Sequence, residues 1–141
     1  MSEQNKQVVL DFIDAMGTSD PVKADKCLAP DAFTDAKGFC KLSGVRHRDT
    51  IVGTISAFNT LLPTGLCPDV KRVIAEGDSV AVEFEGNATT MDGQAYNNQY
   101  CMVFTVIGGQ ITQVNEYFCT KLAEDVLWPS VQAMQGEFPS A

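Results

Sequence analysis

"AYNNQYCMVFTVIGGQITQVNEYFC", residues 95–119, decides the fold. Two long runs of β-branched, aromatic and polar side chains flank Gly108-Gly109, the pattern of a hairpin closed by a tight turn. Strand side chains point alternately to the two faces. On the second run Val114, Glu116 and Phe118 therefore share one face, while Tyr117 takes the other. A glutamate between a valine and a phenylalanine is either an edge decoration in water or the working group of a buried site.

The same period runs upstream through "DVKRVIAEGDSVAVEFEGNATTMDGQ", residues 69–94, with Gly77-Asp78 and Asp92-Gly93 as turn signals. Before that the period is helical. Val8, Val9, Phe12, Ile13 and Met16 mark an amphipathic helix over residues 2–16 that stops at Gly17. A second short helix, capped by Ser19 or Asp20 with Pro21 in its first turn, ends before Pro30. Residues 30–44 read as a short strand with turns. A third helix starts at residue 48 or 49, carries Ile51, Ile55, Phe58 and Leu62 as its apolar stripe, and is terminated by Pro63 and Gly65. Three helices followed by an antiparallel meander make an α+β domain. Residues 120–141 read as a helical stretch broken by Pro129, anchored by Trp128 and lying over the outside.

The 141 residues fit one domain, 1–141, long enough to close a core around a small pocket. With 45% hydrophobic and 20% charged residues the composition is that of a soluble globular protein. The first twelve residues have neither a basic n-region nor an apolar h-region, so the expected location is cytoplasmic. A net charge of -8 without a basic cluster argues against nucleic acid and against an anionic membrane. The five cysteines are scattered and lack a C-x-x-C pair, which indicates reduced and mostly buried thiols rather than a disulfide framework or metal site. No phosphate-binding loop, dinucleotide fingerprint or Ser-His-acid set is present. Chemistry without a cofactor or metal is what remains.

Tyr96-Asn97, Val103-Phe104, Gly109-Gln110-Ile111 and Glu116-Tyr117-Phe118-Cys119, following three helices, resemble the SnoaL-like and ketosteroid-isomerase-like group of the nuclear-transport-factor-like superfamily. The resemblance implies a cone, with three N-terminal helices packed in the concave face of a strongly curved, mainly antiparallel sheet. It also implies a homodimer through the outer sheet face. That fold carries isomerases, cyclases of the polyketide type, dehydratases, epoxide hydrolases and non-enzymatic binders. The isomerase triad of the group falls on Phe12, Ala36 and Met102, so its standard reaction is not expected. Asp35 replaces Ala36 as base only if the strand slips by one residue. The limonene epoxide hydrolase pattern keeps its last acid as Glu116, but its Arg-x-Asp pair falls on Glu83 and Glu85.

The register implied by the resemblance gathers Ala81, Glu83, Glu85, Asn87 and Thr89 with Tyr96, Asn98, Tyr100, Met102, Phe104, Thr112, Val114, Glu116 and Phe118 on the concave face. Val80, Val82 and Phe84 then join Cys101, Val103 and Tyr117 outside. Glu116, screened from water, would titrate above about 4.3 and serve as general base or acid, with Tyr100 and Asn98 as orienting donors and Glu83 and Glu85 as acidic partners. The expected walls are Phe12, Met16, Phe33, Asp35, Phe58, Tyr96, Met102, Phe104, Val114 and Phe118. Glu83 and Glu85 read equally as an ordinary half-solvated strand. His47, between Arg46 and Arg48, reads as a solvated helix entrance, and Cys119 as a buried structural thiol. The expected function is acid–base chemistry on an apolar or polycyclic small molecule. A ligand-binding module that has lost its catalytic set, or a dimeric interaction module, is the alternative.

Overall fold

Helix α1 (Ser2–Gly17) buries the stripe its spacing predicts: Val9, Phe12, Ile13 and Met16 face inward. The structure is a computed structural model and describes residues 2–134. Asp20 caps α2 (Pro21–Cys27), its carboxylate accepting from Lys23 N at 3.0 Å, and the missing N–H of Pro21 is harmless at that first turn. Two strands come next, β1 (Leu28–Ala36) and β2 (Gly44–His47), then α3 (Arg48–Leu61), β3 (Asp69–Glu76), β4 (Ser79–Glu85), the two-residue β5 (Ala88–Thr89) and β6 (Ala95–Tyr96), β7 (Gln99–Ile107) and β8 (Gln110–Phe118). A C-terminal helical segment comprises α4 (Thr120–Leu122), a π-turn (Ala123–Leu127) and α5 (Trp128–Ala133).

The main sheet runs β2-β1-β8-β7-β4-β3, antiparallel throughout except for the parallel β1–β8 pair. Both long hairpins have two-residue loops. Gly108 and Gly109, at φ 60° and 81°, supply the two positive φ values that such a turn demands. Register shifts interrupt β1, β3 and the β7–β8 pair, and bulges of this kind bend a sheet into a cone. Helices α1 and α3 lie against the concave side, where Phe12 meets Phe104 edge-on at 6.1 Å.

Three expectations change. First, the alternation assigned to β4 is off by one residue. Val80, Val82 and Phe84 pair across with Phe104, Met102 and Tyr100, so the valines and phenylalanine are inside and Glu83 and Glu85 outside. Burying three apolar side chains there gains about 1.5–3 kcal/mol each, whereas two unpaired carboxylates on that face would be expensive. The same step puts Ala88 and Thr90 inside and Asn87 and Thr89 outside, and the bulge at Thr105–Val106 makes Ile111 rather than Thr112 the buried residue. Second, the C-terminal segment is not an outer cover: Ala123, Leu127, Val131 and Met134 belong to the core. Proline does not break it, because the π-turn just before Pro129 carries the chain into α5. Third, Cys119 is exposed, as is Cys67; only Cys27 is fully buried. Residues 135–141 of the expected tail lie outside the described residues.

Candidate functional site

One cross-strand row organises the site. Val82, Met102, Glu116, Ala36 and Gly44 are successive partners across β4, β7, β8, β1 and β2, so the glutamate projects from the concave face where the row runs out through small residues. Above that row lies a cavity of about 130 Å³. Phe12 and Met16 of α1 and Ile51, Thr54, Ile55 and Phe58 of α3 roof it. The sheet supplies Thr34, Ala36, Arg46, Tyr100, Glu116 and Phe118, with Tyr96, Leu42 and Leu127 closing the sides. Small residues at Thr34 and Ala36 create the void; bulkier ones would fill it.

Glu116 is the acid of this cavity. Burial pushes its carboxyl up to about 7, the Arg46 guanidinium acts in the opposite direction, and Asp35 adds to the rise. A carboxyl in that range exchanges protons at neutral pH. Tyr100 lines the cavity stacked on Phe84, centroids 4.7 Å apart and 12° between planes. Burial, reinforced by Tyr96 and Glu116, holds its phenol well above the usual value, so it stays a neutral donor. Burial likewise raises Tyr96, although its hydroxyl accepts from Asn98 Nδ2 at 2.9 Å.

Of the residues expected at the site, Glu116, Tyr100, Tyr96, Phe12, Met16, Phe58 and Phe118 meet at the cavity. Met102, Phe104 and Val114 share the face but are packed into the core rather than lining the void. Asn98 is not a substrate donor. Its Nδ2 donates to the Tyr96 hydroxyl and to Cys119 O at 3.1 Å, and its Oδ1 accepts from Gln99 N and Cys119 N at 2.7 and 3.2 Å, which uses its whole hydrogen-bonding capacity to tie the start of β7 to the end of β8. Glu83 and Glu85 are not acidic partners of Glu116. Glu83 accepts from Arg72 Nε at 3.1 Å in the open, and Glu85 from Gln99 Nε2 at 3.4 Å. Phe33 and Asp35 also face away, Phe33 beside His47 at 6.3 Å and Asp35 paired with Lys37 at 2.8 Å. The void by itself matches a single ring, since a closed cavity of roughly 150 Å³ holds benzene, and a polycyclic skeleton would extend through its open side.

Arg46 and Thr54 are polar residues of the cavity that the sequence did not single out. A four-residue edge strand beside a helix cap gives too short a period to read, yet in "GVRH" the alternation sets Arg46 opposite Val45 and His47, and Thr34 and Ala36 leave it room. A wider surface depression, about 460 Å³, lies between the ends of α1 and α3; its one carboxylate, Asp14, is already paired with Lys23 at 2.6 Å. Among the described residues no three His, Cys, Asp or Glu side chains cluster as metal ligands, and no helix is long and apolar enough to cross a membrane.

Residues 9–114 match the SnoaL-like domain family. No curated protein sequence matches the chain. Among solved structures, Bal32a from a soil-derived mobile gene cassette is 17% identical with a TM-score of 0.79, over 89% of this chain and 98% of its own. An LEH-like epoxide hydrolase from M. tuberculosis is 20% identical with a TM-score of 0.72, over 96% and 97%. An NTF2-like protein from Burkholderia xenovorans is 18% identical with a TM-score of 0.71, over 90% and 98%. At these identities the likeness is one of fold, and it agrees with the α+β cone.

Proposed function

The chain belongs to the SnoaL-like family, and we propose that it is an enzyme of cofactor-independent acid–base chemistry on a small, largely apolar molecule. The observation that carries this reading is Glu116, whose carboxyl titrates near 7 inside an apolar cavity. As carboxylate it takes a proton from a substrate carbon or from a water molecule held beside the substrate. As acid it returns the proton to a leaving oxygen or to a neighbouring carbon. Isomerisation, dehydration, cyclisation and hydrolysis all reduce to those two transfers. Tyr100 acts as a neutral donor to the substrate oxygen, and its stacking on Phe84 limits its movement.

Arg46 supports a hydrolytic variant, because it provides beside the acid the positive charge that Glu83, on the other face, does not. The non-catalytic reading is favoured by Phe12, Ala36 and Met102 standing where the isomerase group has its triad. Turnover separates the two. Glu116→Gln keeps the shape and removes the titration, and it should lower kcat on any substrate by at least about a hundredfold. Unchanged turnover would remove Glu116 from the mechanism.

The proposal includes a homodimer through the outer sheet face, where Val45, Cys101, Val103 and Tyr117 remain after Val80, Val82 and Phe84 are reassigned inward. A solution mass near that of one 15.3 kDa chain at micromolar concentration would reject it.

A further inference from the structure

Three buried side-chain atoms have no hydrogen-bond partner among the described residues: Arg46 Nε, Thr54 Oγ1 and Arg48 Nε. Arg46 and Thr54 line the cavity; Arg48 does not, and its guanidinium is engaged with Asp25 at 2.7 Å. Native proteins rarely leave buried donors unpaired, because each costs free energy that no packing returns. Both residues line the one cavity, where an acceptor would complete them.

The register brings them there. Arg46 on β2 is the partner of Thr34 on β1, and Glu116 on β8 is the partner of Ala36, two residues further along β1. Arg46 and Glu116 thus flank two small side chains on the concave face, with Thr54 of α3 above. One terminal guanidinium nitrogen donates to Leu42 O at 3.0 Å, which fixes the group without neutralising it. The nearby Asp35 is engaged by Lys37. When Glu116 carries its proton, the partly buried Arg46 has no ion-pair partner among the described residues.

We propose that the cavity binds a small monocarboxylate whose carboxylate accepts from Arg46 Nε and Thr54 Oγ1, while its single-ring or short-chain body lies against Phe12, Phe58 and Phe118. This rests on the reading of the cavity as the working site and names its ligand class. An anion on the arginine suits that site because guanidinium–carboxylate hydrogen bonds are charge-assisted. The void of about 130 Å³ suits one ring. The ligand carboxylate and an ionised Glu116 compete for the same cation, so binding favours the protonated glutamate. The other titratable groups facing the cavity, Tyr96 and Tyr100, stay neutral, and the lining residues from α1 and α3 do not titrate.

Calorimetric titration with benzoate and with its neutral isostere benzamide, at pH 6 and pH 8, tests the proposal. Benzoate should bind at least about tenfold tighter than benzamide at pH 6. Arg46→Gln should abolish that preference, and the near-isosteric Thr54→Val, which guards against misfolding of the arginine variant, should weaken benzoate several-fold. Raising the pH to 8 should weaken benzoate by between about three- and tenfold in the wild type and leave Glu116→Gln flat. Equal binding of the two probes, no benzoate binding, or indifference to both Arg46→Gln and Thr54→Val would overturn the carboxylate site. Loss of turnover in Glu116→Gln together with failure to bind benzoate would remove the ligand class alone. Carboxylate binding with full turnover in Glu116→Gln would instead remove the acid–base reading.

Discussion

Strands β4 and β8 both set acids among apolar residues and use them in opposite ways. In "VAVEFE", residues 80–85, acids alternate with apolar residues and the acids go to water; in "VNEYF", residues 114–118, the acid goes inward. Both strands pair with β7, and Met102 is the partner of Val82 on one side and of Glu116 on the other. The row is therefore common, and what differs is which residue of each motif enters it. Near β4 the concave side is closed by packed core, where a carboxylate would have neither water nor a counter-charge. At Glu116 the small residues of β1 open a cavity, and Arg46 supplies partial compensation. The same acid is thus costly at one site and usable at the other.

The largest contrast between the two strands should be kinetic: the loss of at least about a hundredfold expected for Glu116→Gln stands against a change of less than about twofold for Glu83→Gln. Stability gives the next contrast. A carboxyl moved from 4.5 unfolded to about 7 folded holds its proton more tightly in the native state, so its favourable contribution is complete below the unfolded value and is lost as pH rises through 7. Denaturant titrations should therefore show the wild type losing roughly 3 kcal/mol relative to Glu116→Gln between pH 4 and pH 8. Glu83→Gln, in contrast, should track the wild type within about 0.5 kcal/mol, since its ion pair with Arg72 is exposed. A crossing of these curves would mean that the two strands had been assigned the wrong faces. A third effect, smaller than the pH-dependent loss at Glu116, concerns the join between β7 and β8. Asn98→Ala leaves Cys119 N, Cys119 O and Gln99 N without their side-chain partner and should cost about 2 kcal/mol in the same titrations.

Much of this was legible along the chain. Gly77-Asp78 and Gly108-Gly109 mark the hairpins because a two-residue loop needs special φ values, and the stripe of α1 is visible because 3.6-residue spacing buries one side of a helix. Glu116 was legible too, since Val114 and Phe118 on its own strand are apolar. Asn98 is legible as polar and inward, but its role is not: nothing local says that its four hydrogen-bonding sites are taken by Tyr96, Gln99 and Cys119, the last of them 21 residues away. Arg46 was hidden because the strand that aims it is four residues long.

The order of elements, the turns between them and the period of each are written in the chain itself, because they depend on neighbours a few residues apart. So is the presence of an acid among apolar side chains in the last strand. Which half of each alternation faces the helices was left to tertiary pairing, since a one-residue shift exchanges the faces and its cost depends on what lies opposite. The partners of the acid come from the same register: Arg46, Thr54 and Ala36 belong to three separate elements and meet Glu116 only when β1 runs parallel to β8.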